Sequence, residues 1–310
     1  MTTEQKQRKD VHQIITEHVI SFLEQGIVPW RVPWVNNGIP RNVVTRKPYR
    51  GANAPLLSVY GFDHNLFVSE QQLHNLGGTV KKDERYVLST YWEWKDATDG
   101  SGEKRPVLRY EKVYNLSQCD GITASGIEDV LVPHKSLFEC KNIVKGMPNT
   151  PRIEYTGSAA DYVEADDMVV MPPSTNYTSL ELFYYDLFRM LIHSTGHTLR
   201  LDRKELADRE PVFSREALIA DIGAHYLCFH AGVTGLLALP NTGHLYGWIE
   251  RLTDDARLFV FACSQAQKAV DYILNPNSRK EQEAEKANEE TKTEEESLDD
   301  DERFETSNKI

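Results

Sequence analysis

One run of this chain carries residues at metal-ligating spacing: Tyr184-Tyr185-Asp186-Leu187-Phe188-Arg189-Met190-Leu191-Ile192-His193-Ser194-Thr195-Gly196-His197. Two histidines four residues apart on a helix lie one turn apart and can hold a zinc ion. A glutamate beside the first can take a proton from the zinc-bound water. His193 stands where the second histidine belongs, but the first position holds Arg189 and the glutamate position holds Met190. A guanidinium is a cation that does not deprotonate, so it cannot ligate zinc, and a thioether cannot act as the base. The run therefore reads as the helix of a metal-dependent hydrolase without its hydrolytic groups, and a chain that is not an enzyme is expected. His197 follows His193 by four residues, but Gly196 ends the helix between them and breaks the one-turn geometry.

The elements that must position this run can be read from caps and periodicity. Thr178-Ser179-Leu180-Glu181 is a capping box that opens a helix through Thr195. Ser214 is an N-cap for a second helix from Arg215 to about Ala231, closed by Gly232. An apolar-striped run from His244 to Leu274, broken near Thr253-Asp254, predicts further helix. Nearer the start, Asp10 caps a helix carrying Val11, Ile14, Ile15, Val19, Phe22 and Leu23, and Gly26 closes it. A proline-rich stretch, Pro29 to Trp34, follows it. The alternating runs Tyr86–Trp94 and Pro106–Tyr114, with Asp99-Gly100-Ser101-Gly102 between them, predict a hairpin with a long turn. Its face of Tyr86, Leu88, Thr90, Trp92 and Trp94 suits either a core or an exposed platform, and Tyr110 lies on the second strand. The fold class expected is α+β. It comprises a small α+β domain over 1–125, a linker over 126–150, a mostly helical domain over 151–278 and a disordered acidic tail over 279–310.

The net charge of −12 is unevenly spread. Residues 1–125 hold 16 Lys/Arg and 14 Asp/Glu, whereas 126–278 and 279–310 are each net −7. Within 25–62 there are five Arg/Lys and no acid. Proteins that bind single-stranded nucleic acid pair a basic groove with aromatic faces on which bases stack, worth about 1–3 kcal/mol per base. Trp30, Trp34 and Tyr49 interleave here with Arg31, Arg41, Asn42 and Arg50, and Lys81 and Lys82 add a basic pair further on. These nine residues form the candidate DNA interface. The four cysteines are widely spaced without a C-x-x-C pair, which suits a reducing compartment. No apolar run is long enough for a membrane span and the N-terminus lacks an apolar signal core, so a cytoplasmic location is expected.

The order of these segments resembles the ArdC family of antirestriction proteins, carried by plasmids, phages and integrative elements. The resemblance runs from about Asp10 to Leu274. It rests on LEQGIVPWRVPW (23–34), PRN (40–42), KPYRGAN (47–53), LGGTVKKDE (76–84) and VYNLSQCDGI (113–122) in the first half. In the second half it rests on YTGSAADY (155–162), MP (171–172), HSTGHTLRLDR (193–203), EALIADIGA (216–224) and SQAQKAVDYIL (264–274). The family pairs an N-terminal single-stranded-DNA-binding domain with a C-terminal zincin-like domain. By resemblance the metal-ligand positions are Arg189, His193 and Asp221, with Glu216 as the other candidate acid. His225, four residues after Asp221, reads as a packing histidine. With two ligands of three and no base, no cofactor is expected, zinc included. Arg189 is expected to replace the metal's charge by pairing with Asp221. The function expected is a non-catalytic single-stranded-DNA-binding protein that protects incoming mobile-element DNA. Two alternatives stand beside it: a zinc metallopeptidase with an unorthodox ligand set, and an acidic decoy that binds a host restriction enzyme or other DNA-acting enzyme.

Overall fold

A computed structural model describes residues 10–34, 38–96, 103–122, 137–208, 212–233 and 242–274. The tail read over 279–310 lies outside the described residues. The chain is α+β. Helix α1 (Val11–Glu24) starts where Asp10 accepts the His12 amide and buries Ile15, Val19 and Leu23 of the expected stripe together with Thr16, while Val11, Ile14 and Phe22 are partly buried. A 3-10 turn over Pro29–Arg31 follows. Then come β1 (Arg41–Asn42), α2 (Asn53–Ser58), β2 (Leu66–Ser69), α3 (Glu70–Asn75), β3 (Thr79–Val80), β4 (Val87–Asp96), β5 (Lys104–Asn115) and β6 (Cys119–Asp120). The main sheet has the order β1-β2-β5-β4, so β4 is an edge strand. β4 and β5 pair antiparallel without a bulge from Val87↔Val113 to Asp96↔Lys104, the hairpin that alternation predicted.

The second half opens with α4 (Leu137–Lys145), inside the stretch expected to be a linker. Leu137, Cys140, Ile143 and Val144 recur at helical spacing, and Cys140 and Ile143 are fully buried, so this segment is part of the core and not a connector. A three-stranded sheet follows, of β7 (Arg152–Tyr155), β8 (Asp161–Val163) and β9 (Met168–Met171) in the order β7-β9-β8. Then come α5 (Leu180–Ser194), α6 (Arg215–His230), α7 (Thr242–Asp254) and α8 (Leu258–Leu274). Ser179 and Ser214 cap α5 and α6, each accepting an amide three residues on; α5 thus starts one residue later than the Thr178–Glu181 capping box predicts, with Leu182 and not Glu181 three residues past the cap. α5 and α6 pack closely because Gly223 faces Ile192: a Cβ at 223 would fall 2.7 Å from the Ile192 Cδ1. No helix among the described residues is long and apolar enough to cross a membrane.

One core spans both halves. Ile15, Val19, Leu23, Trp30 and Trp34 from the first segment join buried residues of α4, α5, α6, α7 and α8 in a single apolar cluster. The Thr16 hydroxyl donates to the Ala256 carbonyl at 2.7 Å, which ties α1 to the α7–α8 junction.

Candidate functional site

α5 presents Tyr185, Arg189 and His193 at four-residue intervals, one turn apart along one side of the helix. His193 is buried, and its Nδ1 lies 3.0 Å from Glu216 Oε1. Glu216 is fully buried and accepts two further bonds from Arg203, at 2.8 Å from Nε and 2.5 Å from Nη2. Arg203 also donates to the Thr195 hydroxyl and the Ile192 carbonyl, closing the loop after α5 onto α6. Burial alone would raise the Glu216 carboxyl, but the bonds from Arg203 and His193 reverse that and hold it below its ordinary value. Burial lowers the His193 pKa, so the ring is neutral near pH 7, and beside an ionised Glu216 its Nδ1–H is the donor to that carboxylate.

Asp221, on α6 one turn beyond Ala217, is the other acid of the site. Its Oδ2 accepts from Trp30 Nε1 and from Arg31 Nη2, both at 2.9 Å. Its Oδ1 accepts a short hydrogen bond from the Tyr185 hydroxyl and lies 3.3 Å from His225 Nδ1. His225 Nδ1 is closer still, at 2.7 Å, to the Asp221 carbonyl oxygen. Burial works to raise the Asp221 carboxyl. The Arg31 guanidinium, followed by His225 and Tyr185, outweighs it and holds the group well below the usual carboxylate range. Around this knot, Trp30 packs edge-on to Trp248, and Trp248 Nε1 donates to His244 Nε2 at 3.1 Å.

The expected partnership of Arg189 with Asp221 is not formed. Arg189 Nε lies 4.0 Å from Asp186, and its side chain is 37% exposed. The cation on Asp221 is Arg31, from the other end of the chain. Tyr185, one turn before Arg189, supplies the α5 donor, so a phenol takes the place that a guanidinium was expected to fill.

The arrangement departs from a three-ligand zinc site at Arg189 and Asp221. Arg189 cannot ligate, and Asp221 already accepts on both oxygens from three donors. His197 Nδ1 accepts from the Leu199 amide within its own loop, whereas His225 turns Nδ1 to the Asp221 carbonyl and leaves its buried Nε2 without a hydrogen-bond partner. Among the described residues, no group of three His, Cys, Asp or Glu side chains is arranged to hold a metal.

The candidate DNA interface also comes apart. Trp30 is 1% exposed and Trp34 8%; the latter packs against Tyr226, Phe229 and His230. Neither offers a ring face to a base. Arg31 is spent on Asp221, and Arg50 on Asp271 of α8. Asn42 accepts the Val44 and Thr45 amides and donates to Tyr49 and Gln72, so it builds the turn after β1. Tyr49 packs edge-on to Phe67. Arg41 donates to the Arg46 carbonyl and Lys81 to the Ser117 carbonyl, while Lys82 is exposed. The absence of acids from 25–62 thus has a partner in the acidity of the second half: two of its arginines meet carboxylates there. The sequence reading passed over Tyr185, although its i, i+4, i+8 relation to Arg189 and His193 places it on the same face.

The buried carboxylates make stability pH-dependent. In the unfolded chain Glu216 and Asp221 titrate near their ordinary values of about 4, whereas both are depressed in the fold. Their contribution is present above that range and is lost as pH falls below it. His193 adds to the loss from about pH 6.5 downward, because the unfolded ring takes up a proton that the buried ring resists. Thermal melts are expected to be level from pH 8 to 7, to decline gently below about 6.5 and to fall steeply below about 4. A flat profile to pH 3 would show that these groups are unpaired.

Comparison with known proteins places this geometry in context. Residues 9–115 match a family model described as the N-terminal domain of anti-restriction factor ArdC, and residues 147–265 match one described as zincin-like metallopeptidase. Two solved structures of the antirestriction ArdC protein from plasmid R388, one metal-free and one Mn(II)-bound, superpose with TM-scores of 0.70 at 27% identity. They cover 88% and 86% of this chain and 99% and 98% of theirs. An uncharacterised Sinorhizobium fredii protein, y4eC, is 26% identical over 291 residues, which is 85% of this chain and 91% of that protein. A DNA primase TraC of Escherichia coli is 27% identical over 297 residues. The chain spans only 20% of that primase's length, and 27% of a second TraC primase that is 25% identical.

Proposed function

Because this chain belongs to the ArdC family of antirestriction proteins, we propose that it counters restriction by binding single-stranded DNA and performs no chemistry of its own. The observation that carries the non-catalytic part is the state of Asp221. A carboxylate that would ligate a metal is instead saturated by Trp30, Arg31 and Tyr185, and Met190 occupies the place of the base. A helix pair so satisfied is a stable packing unit with no group poised to activate water. Single-stranded DNA as the partner is supported by the match of the first half to the ArdC N-terminal domain and by relatives named as DNA primases. The mobile-element role follows from the same family reading.

The test is nuclease protection of single- and double-stranded DNA by the full chain across a salt series. Protection of single strands, weakening as salt rises, is the expected result. Equal failure on both substrates, together with tight binding to a restriction enzyme, would favour the decoy reading. Chelator-sensitive proteolysis of casein by the purified chain would reopen the metallopeptidase reading.

A further inference from the structure

We propose that the outer face of the β4–β5 hairpin is the surface on which this protein stacks the bases of single-stranded DNA. The proposal rests on the single-strand reading above and supplies a site in place of the Trp30–Trp34 stretch, which is buried. Of the five tryptophans, Trp30, Trp34 and Trp248 are at most 8% exposed, whereas Trp92 and Trp94 are 50% and 64% exposed. Indoles bury readily, so two of them left half in water on adjacent same-face positions of one strand need a reason.

The register puts them together. Thr90 pairs with Tyr110, Trp92 with Leu108 and Trp94 with Pro106, so Trp92, Trp94 and Tyr110 project from the same face. Helices α1 and α2 cover the base of that face. Leu108 is buried there, Leu88 packs on the core, and Asn53 clamps Thr90 by accepting from its amide and donating to its carbonyl. Beyond that cover the two indoles and Tyr110, itself 40% exposed, line up toward the hairpin end. Toward the strand's start, Lys112 Nζ sits 4.6 Å over the Tyr86 ring, a cation already placed on an aromatic face.

Charge favours a polyanion. The same register puts Lys104 and Lys112 on the aromatic face against one acid, Asp96, a net positive face in a chain of net −12. On the opposite face Arg109 and Lys95 share one carboxylate, Glu93, at 2.8 and 3.3 Å, which leaves that trio cationic as well. Among the described residues, Trp92 has only the tilted His12 ring beside it, at 6.2 Å, and exposed aromatic rings beside cations take unstacked bases of any sequence. Paired bases inside a duplex cannot reach them.

The experiment measures anisotropy of labelled oligo-dT with the full chain and with Trp92→Ala/Trp94→Ala, Trp92→Phe/Trp94→Phe and Lys104→Ala/Lys112→Ala. Losing a stacking ring weakens binding by about tenfold, so the double alanine variant should bind about a hundredfold less tightly with an unchanged salt slope. The phenylalanine pair should keep most of the affinity, which separates stacking from damage to the sheet. The lysine pair should flatten the salt slope by up to about one unit per lost phosphate contact. If the wild-type chain binds oligo-dT and the folded alanine pair binds equally well, the hairpin site is wrong while the single-strand reading stands. If the wild-type chain does not bind oligo-dT, that reading fails, and the proposal with it.

Discussion

Replacing Arg31 by alanine is expected to destabilise the entire fold by about 3 kcal/mol or more. The Arg31 side chain is 19% exposed and the Asp221 side chain 7%, so the pair lies largely out of water. Removing the guanidinium leaves a carboxylate buried with only neutral donors and His225 beside it, and such a charge must then be desolvated or protonated. Arg189→Ala is the control. That side chain is 37% exposed and 4.0 Å from Asp186, so its loss should cost no more than about 1 kcal/mol. Denaturant titration at constant pH measures both. Adding Asp221→Asn to Arg31→Ala should recover part of the loss, because the orphaned charge goes with it. Equal midpoints for Arg31→Ala and Arg189→Ala would refute the assignment of Arg31 as the compensating cation.

The second large effect concerns metal affinity. Arg189→His with Met190→Glu rebuilds a histidine–glutamate pattern on α5, one turn before His193. That pair of changes alone should give weak zinc binding, because the third ligand, the Asp221 carboxylate, remains occupied by Arg31, Trp30 and Tyr185. Adding Arg31→Ala removes its charged partner and leaves only neutral donors for zinc to displace. Releasing a buried pair worth about 3 kcal/mol corresponds to roughly a hundredfold in affinity, so the triple variant should exceed the double by that factor in competition with a chromophoric chelator. A double variant that binds zinc as tightly as the triple would mean that Arg31 does not compete for Asp221.

Local signals were legible where they were local. Asp10 and Ser214 each cap the helix that their position announces, α5 starts within one residue of its expected cap, and strict alternation with a glycine-rich connection locates the hairpin. α4 escaped notice because its apolar spacing covers little more than two turns. The aromatic and basic residues of 29–50 were misassigned for a physical reason. Tryptophan beside arginine is the composition of a base-stacking groove and equally that of a buried indole and guanidinium closing over a carboxylate. Which of the two holds depends on Asp221, 190 positions from Arg31, and no periodicity reaches that far. The departures from a metal-ligating pattern at Arg189 and Met190 are legible in the sequence. The identity of the substitute cation is not, since it comes from outside the motif.

The bonds from Trp30 and Arg31 to Asp221, and from Thr16 to Ala256, also set a schedule for synthesis. The first helix and the turn that follows it leave the ribosome long before either partner exists. Throughout that interval their apolar stripe and indoles have only first-half residues such as Ala54, Leu56 and Leu108 to close upon. Such contacts close loops of about two hundred residues, an entropic expense met only when the last helices arrive. A nascent chain of this design is therefore exposed to aggregation until α6 to α8 emerge, and those helices act as the fastener for its first segment.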